Sequence, residues 1–219
     1  MKIIYEKILT LLLLIGFFIL NQLPLTIAAV FATYGSLSEE LGYGLLFFAL
    51  LVLFLFLLYA NYQGLFHWRD FLKRRPLRIL FLSYIVIMTL NIIGSYILSL
   101  EGETTSTNQQ LIIELLKRLP LILMFLSIVI SAPIEEEIMF RYLIPKKLFK
   151  GHQRIGFFIG TLAFALVHSP TNIGSFMIYF CMGGVLSYLY YKYQRMEFNV
   201  SLHIINNFIA FISIISILK

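Results

Sequence analysis

Residues 41–60 read LGYGLLFFALLVLFLFLLYA, an uncharged run dominated by Leu and Phe. A helix rises about 1.5 Å per residue, so a run of this length spans roughly the 30 Å hydrocarbon core of a bilayer. A surface helix of a soluble protein would show a polar face, and this stretch has none. It reads as a transmembrane helix.

The same pattern recurs on both sides of it. Apolar runs occupy residues 8–33, 79–100, 119–144, 155–168, 173–191 and 200–218. Of the 219 residues, 60% are hydrophobic and 13% charged, against about a quarter charged in a soluble domain. The expectation is an all-α, polytopic transmembrane helix bundle of about seven spans, forming a single transmembrane domain over residues 1–219. An eighth span arises if region 111–149 splits at Pro120, Pro133 or Pro145, since an interior proline kinks or ends a helix. The N-terminal run resembles a signal peptide, with Val30-Phe31-Ala32 as a cleavage-like site. It is longer than a signal h-region and reads as a retained helix.

The net charge of +6 is organised for a membrane rather than for nucleic acid. Lys2 and Lys7, then Arg69, Lys73, Arg74, Arg75 and Arg78, then Lys146, Lys147, Lys150 and Arg154, then Lys192 and Arg195 all fall on one side of a seven-span chain. Only Lys117, Arg118, Lys219 and the intrahelical Arg141 fall elsewhere. The positive-inside rule then places the N-terminus in the cytoplasm. The single cysteine, Cys181, has no partner for an internal disulfide and reads as a small packing residue within a span.

Ionisable groups at membrane depth cost roughly 2.5–3.5 kcal/mol each on insertion scales, so they persist where they pair or act. The fourth run holds Glu135, Glu136, Glu137 and Arg141, the fifth holds His168, and the seventh holds His203 and Asn207. Counted from the basic loops, Glu136 lies about 15 Å deep, His168 about 21 Å, and His203 and Asn207 about 12 and 18 Å. Three helices thus bring costly groups to a similar level. Glu137 and Arg141 are four apart and share a face, as do His203 with Asn207 and Phe164 with His168. Glu136 is turned about 100° from Glu137, which frees it to face a cavity while its neighbour is ion-paired. Glu136, His168, His203 and Asn207 are expected to line one water-accessible cavity opening toward the cytoplasm.

These residues form three motifs in order: Glu136-Glu137-x-x-x-Arg141, Phe164-x-x-x-His168 and His203-x-x-x-Asn207. Their order and helical setting resemble the CPBP family (CAAX proteases and bacteriocin-processing proteins, also called Abi), which includes the type II CAAX prenyl endopeptidases. The resemblance covers residues 133–207. Glu135 is an additional acid before the motif, and Arg141 fixes the register. The resemblance implies an intramembrane glutamic endopeptidase. Glu136 would be the general base that activates a water, with His168 helping to hold or deprotonate it. His203 and Asn207 would stabilise the oxyanion, and Glu137 and Arg141 would orient or support the site. Phe164 would pack beneath His168.

The chemistry fits the residue types. A carboxylate in low dielectric gains base strength, and donors aimed at a developing oxyanion strengthen in a dry site. Glu with two His could alternatively hold zinc, but no HExxH motif occurs and the resemblance implies a metal-independent enzyme, so no cofactor is expected. An aspartyl protease needs two Asp and Asp70 is the only one; a rhomboid-like enzyme needs Gly-x-Ser, which is absent. The expected partners are the lipid bilayer and a membrane-associated peptide or protein substrate. With no organelle signal, the chain reads as a bacterial, multi-pass cell-membrane protein. The resemblance adds bacteriocin or peptide processing and self-immunity as roles. Two rival readings are a non-catalytic immunity or binding protein and a proton- or ion-coupled transporter, since buried acid and His chains also mark transport pathways.

The charge pattern makes a topological prediction. Reporter fusions at Gln63, Thr105, Gly151 and Lys219 should report cytoplasm, exterior, cytoplasm and exterior in turn. A cytoplasmic signal at Lys219 would overturn the span count.

Overall fold

The computed structural model describes residues 2–34, 38–67, 69, 71 and 73–218. Asp70 and Lys219 lie outside the described residues, and all regular structure within them is helical. Three long helices open the chain: α1 (Lys2–Tyr34), α2 (Glu39–Tyr62) and α3 (Arg74–Leu100). A short helix, α4 (Thr107–Leu116), follows the turn after α3. Next comes an unbroken helical rod from Leu121 to Leu148. It is built of α5 (Leu121–Met124), a π-helical stretch (Phe125–Ser131), α6 (Ala132–Glu137) and a second π-helical stretch (Ile138–Leu148). The chain ends in α7 (Gln153–Val167), α8 (Ile173–Tyr193) and α9 (Met196–Leu218).

Among the described residues, five helices are long and apolar enough to cross a bilayer: α1, α2, α3, α8 and α9. The two remaining expected spans take other forms. The rod is long enough but alternates between α and π turns. The apolar α7 has 15 residues, short of the roughly 20 that span a hydrocarbon core squarely. The prolines explain part of the rod's irregularity. Pro120 caps its start, Pro133 lies just after the first π stretch, and Pro145 lies inside the second. Each removes a backbone donor and crowds the preceding turn, and wider π turns occur where the regular ladder is interrupted in this way. The split expected within 111–149 falls at Pro120, which separates α4 from the rod.

The buried centre lies between the rod and helices α2, α3, α8 and α9, where Phe56, Ile87, Ile138, Leu186 and Leu202 have no exposed surface. The outer faces remain apolar, with Phe47, Phe81, Ile92 and Ile155 largely exposed. That pattern suits lipid on the outside, where association depends on close packing rather than on hydrophobic burial. Small residues provide the close approach. On α7, a Cβ added at Gly156 would lie 2.6 Å from the Pro145 Cα, and one at Gly160 would overlap the Phe140 carbonyl oxygen. These two glycines let α7 lie directly on the second π stretch, beside Arg141.

A side chain at Gly160 must therefore push α7 off the rod. Gly160→Val should lower stability by about 1–3 kcal/mol, the usual range for overpacking, read as an earlier thermal unfolding midpoint in detergent. An unchanged midpoint would show that the two helices separate freely.

Candidate active site

The three adjacent glutamates of α6 go to three different places. Glu135 accepts a hydrogen bond from the Asn21 side chain of α1. Glu137 has no exposed surface and is the most heavily engaged. Its Oε2 lies 3.3 Å from Arg141 Nε and accepts from Asn199 Nδ2 at 2.9 Å, while its Oε1 lies 3.0 Å from His203 Nδ1. Glu136, between them, is about 13% exposed at its side chain. Its Oε2 has no hydrogen-bond partner and lies 3.8 Å from His203 Nε2. The 100° turn between successive residues thus separates an anchored carboxylate from a free one.

Arg141 is fully buried and engaged by three groups, while its Nη1 has no hydrogen-bond partner. It pairs with Glu137, donates to the Gly183 carbonyl at 3.3 Å, and lies 4.4 Å over the Phe164 ring. Its Nε faces Glu137 at ion-pair distance without the alignment of a hydrogen bond. Phe164 reaches Arg141, His168 and His203 together, with ring centroids 4.8 Å from His168 and 5.7 Å from His203. The expected packing of Phe164 under His168 is present, and the ring also bridges to α9.

The hydrogen bonds imply the tautomers of both imidazoles. A carboxylate only accepts, so the His203 Nδ1–H donates to Glu137 and its Nε2 turns toward Glu136. His168 Nδ1 lies 2.7 Å from the Phe164 carbonyl oxygen, which also only accepts, so its Nε2 is left as the lone pair. In this arrangement, neutral His203 cannot donate from Nε2; it does so only as an imidazolium, with Glu137 beside it as counter-charge. His168 is further fixed by stacking on Tyr179, 4.2 Å between centroids. Tyr179 in turn shares hydrogen bonds with Ser106 and Asn108. Asn207 donates to the Ile128 carbonyl at 3.0 Å, which uses one of its two amide hydrogens.

A cavity of about 320 Å³ is lined by Glu135, Glu136, His168 and Asn207. His203 lines an adjoining cavity of about 410 Å³, whose wall also includes His168 and Asn207. The four expected residues therefore meet around two spaces that share a wall rather than around one. The first cavity is walled by α4 and by Asn21 to Val30 of α1, at the end of the bundle carrying the turn after α3 and away from the basic loops. Depth along a helix is written in the sequence, but the gap between helices depends on where short α4 lies.

Several contributing residues were not singled out from the sequence. Asn199 precedes His203 by one helical turn, a legible signal. Asn21 is an amide inside an apolar run, legible by the same rule that exposed the glutamates. Tyr179 is one of 13 tyrosines and carried no signal. Glu197 lies at the start of α9, and it is buried, paired with Arg195 and accepting from the His67 backbone N–H. Among the described residues, no group of three or more His, Cys, Asp or Glu is arranged to hold a metal ion.

The fold and this centre define a multi-pass helical membrane protein with a Glu/His polar core. Residues 118–209 match the family described as type II CAAX prenyl endopeptidase Rce1-like, a stretch that contains the rod, α7, α8 and both α9 site residues. The chain is 27% identical over 193 residues to UPF0177 protein YvdC of Lactococcus lactis subsp. lactis (strain IL1403), covering 87% of this chain and 72% of that protein. It is 29% identical over 135 residues to the membrane-embedded CAAX protease MroQ of Staphylococcus aureus (strain USA300), covering 58% of this chain and 53% of that protein. The second match thus spans about half of the staphylococcal relative. No solved structure matches the chain. Over the stretch that builds the polar core, the chain is thus similar to the CPBP family.

Removing one partner of a buried ion pair strands the other, at about 3–5 kcal/mol. Glu137→Gln should therefore unfold markedly earlier than the wild type, whereas Glu136→Gln should not. Adding Arg141→Met to Glu137→Gln should recover part of the loss. Equal melting of all three variants would mean that Glu137 is not the structural member of the pair.

Proposed function

We propose that this chain is an intramembrane endopeptidase that hydrolyses a peptide bond of a membrane-associated peptide or protein through a water activated by Glu136. One observation supports this above the others. Of the three adjacent glutamates, Glu136 alone has a fully enclosed carboxylate oxygen without a hydrogen-bond partner, and its side chain lines a cavity beside two imidazoles. A general base needs a free lone pair within reach of water.

In this reading Glu136 takes a proton from water as the oxygen attacks the scissile carbonyl, while His168 Nε2 accepts the water's second hydrogen bond and orients it. The proton passes from Glu136 to His203 Nε2. Glu137 stabilises the resulting imidazolium, which donates to the oxyanion and then to the departing amine. The second amide hydrogen of Asn207 is the further oxyanion donor. Atoms and charge balance without a covalent enzyme intermediate. The protein is placed in a bacterial cell membrane with its N-terminus in the cytoplasm, as the basic loops suggest. The name of the staphylococcal relative, a membrane-embedded CAAX protease, agrees with proteolysis rather than transport or passive immunity.

The test is a comparison of peptide termini in membranes carrying the wild type or Glu136→Gln. New termini should appear with the wild type and vanish with the variant, while the variant's melting is unchanged. Asn207→Ala should slow the same cleavage by about 10²–10³, the scale of one oxyanion donor. Cleavage that survives Glu136→Gln would remove the base from this mechanism and return the transporter or immunity reading.

A further inference from the structure

Hydroxyls inside helices usually satisfy themselves by bonding back to the carbonyl four residues earlier. This protein follows that habit at Thr10, Thr89, Thr161, Ser213 and Ser216. Ser127 and Ser131 of the first π-helical stretch depart from it. They are only 8% and 5% exposed, both hydroxyls lack a hydrogen-bond partner, and both line the cavity that holds Glu136 and His168. A buried polar group left unpaired costs free energy. Two of them, four residues apart and aimed into one cavity, mark a surface that a polar partner completes.

The partner's chemistry follows from the surroundings. The opposite wall combines apolar Leu25, Val30, Val52, Leu111 and Ile112 with the uncharged polar Asn21, Gln22, Thr26 and Asn108, and no Lys or Arg is among the described lining residues. A ligand there needs apolar side chains together with uncharged donors and acceptors. An extended peptide main chain has both. Residues four apart on a helix face are about 5–6 Å apart, close to the roughly 6.6 Å between alternate residues of an extended chain. Each hydroxyl can donate and accept, so each can take up the free carbonyl or N–H of such a chain.

We infer that Ser127 and Ser131 are substrate-positioning residues, which hold the main chain of an extended, apolar peptide segment along the rod beside Glu136. The inference rests on the endopeptidase reading and specifies its substrate class. It also accounts for how unpaired peptide groups, costly in a membrane, are accommodated at the site. An extended segment exposes its scissile bond, and the two serines supply the hydrogen bonds it gives up on unwinding.

The test uses binding, so that it is independent of turnover. The probe is a short fluorescent peptide rich in valine and alanine, whose β-branched residues favour extended backbone. Its affinity is measured by anisotropy in detergent for Glu136→Gln alone and for Glu136→Gln carrying Ser127→Ala and Ser131→Ala. The triple variant should bind about tenfold more weakly, from two modest hydrogen bonds. It should melt at the same temperature or higher, because it loses two unpaired buried hydroxyls and gains alanine in a helix. Equal binding by the two proteins, no binding by Glu136→Gln, or a lowered melting temperature in the triple variant would each overturn the inference. Cleavage of the probe by the wild-type protein scores the endopeptidase reading separately.

Discussion

The carboxylate of Glu137 is the constraint on which the centre depends. It is fully enclosed, and it engages Arg141 on its own rod together with Asn199 and His203 on α9. In a bilayer no water can stand in for a missing partner, so these groups must find one another. Satisfying them fixes the rotation of the rod relative to α9. That rotation in turn decides where Glu136 points and which nitrogen of His203 faces it. A structural ion pair and a candidate catalytic group are therefore consecutive residues with opposite requirements, one sealed and one open.

The scaffold makes this arrangement possible by close approach rather than by bulk. Gly156 and Gly160 bring the α7 backbone against the rod, and α7 then delivers Phe164 over Arg141 and His168 to the cavity. Phe164 joins three site groups through its faces and edges, an apolar brace for polar side chains. The rod is irregular where this happens, with π turns on either side of the glutamates. Such turns recur at functional sites because they re-aim side chains without ending the helix. Within the first of them the Ile128 carbonyl accepts from Asn207; Pro133, five residues on, has no N–H to offer it.

Much of the site was legible in the sequence because membrane burial makes polar residues conspicuous. Glu136, His168, His203 and Asn207 stood out against apolar runs, and helix rise gave their common depth. The contact between His203 and both Glu136 and Glu137 agrees with that depth. The contributions of Asn199 and Asn21 were within reach of the same rule. Tyr179 was not, because a tyrosine in a span is unremarkable until a ring stacks on it. The unpaired state of Ser127 and Ser131 was hidden too, since serine in a helix ordinarily satisfies itself.

The sequence by itself determined the helical, membrane-spanning class, through apolar runs whose length matches a bilayer. It also determined which residues are too polar to sit there idly, and the register that separates Glu136 from Glu137. Only the tertiary structure decided which partner each glutamate takes, the tautomers of the two imidazoles, and where the cavity lies. Periodicity fixes the face of a residue on its own helix. The neighbour that face meets depends on the packing of glycines and on the position of the short α4, which no local pattern encodes.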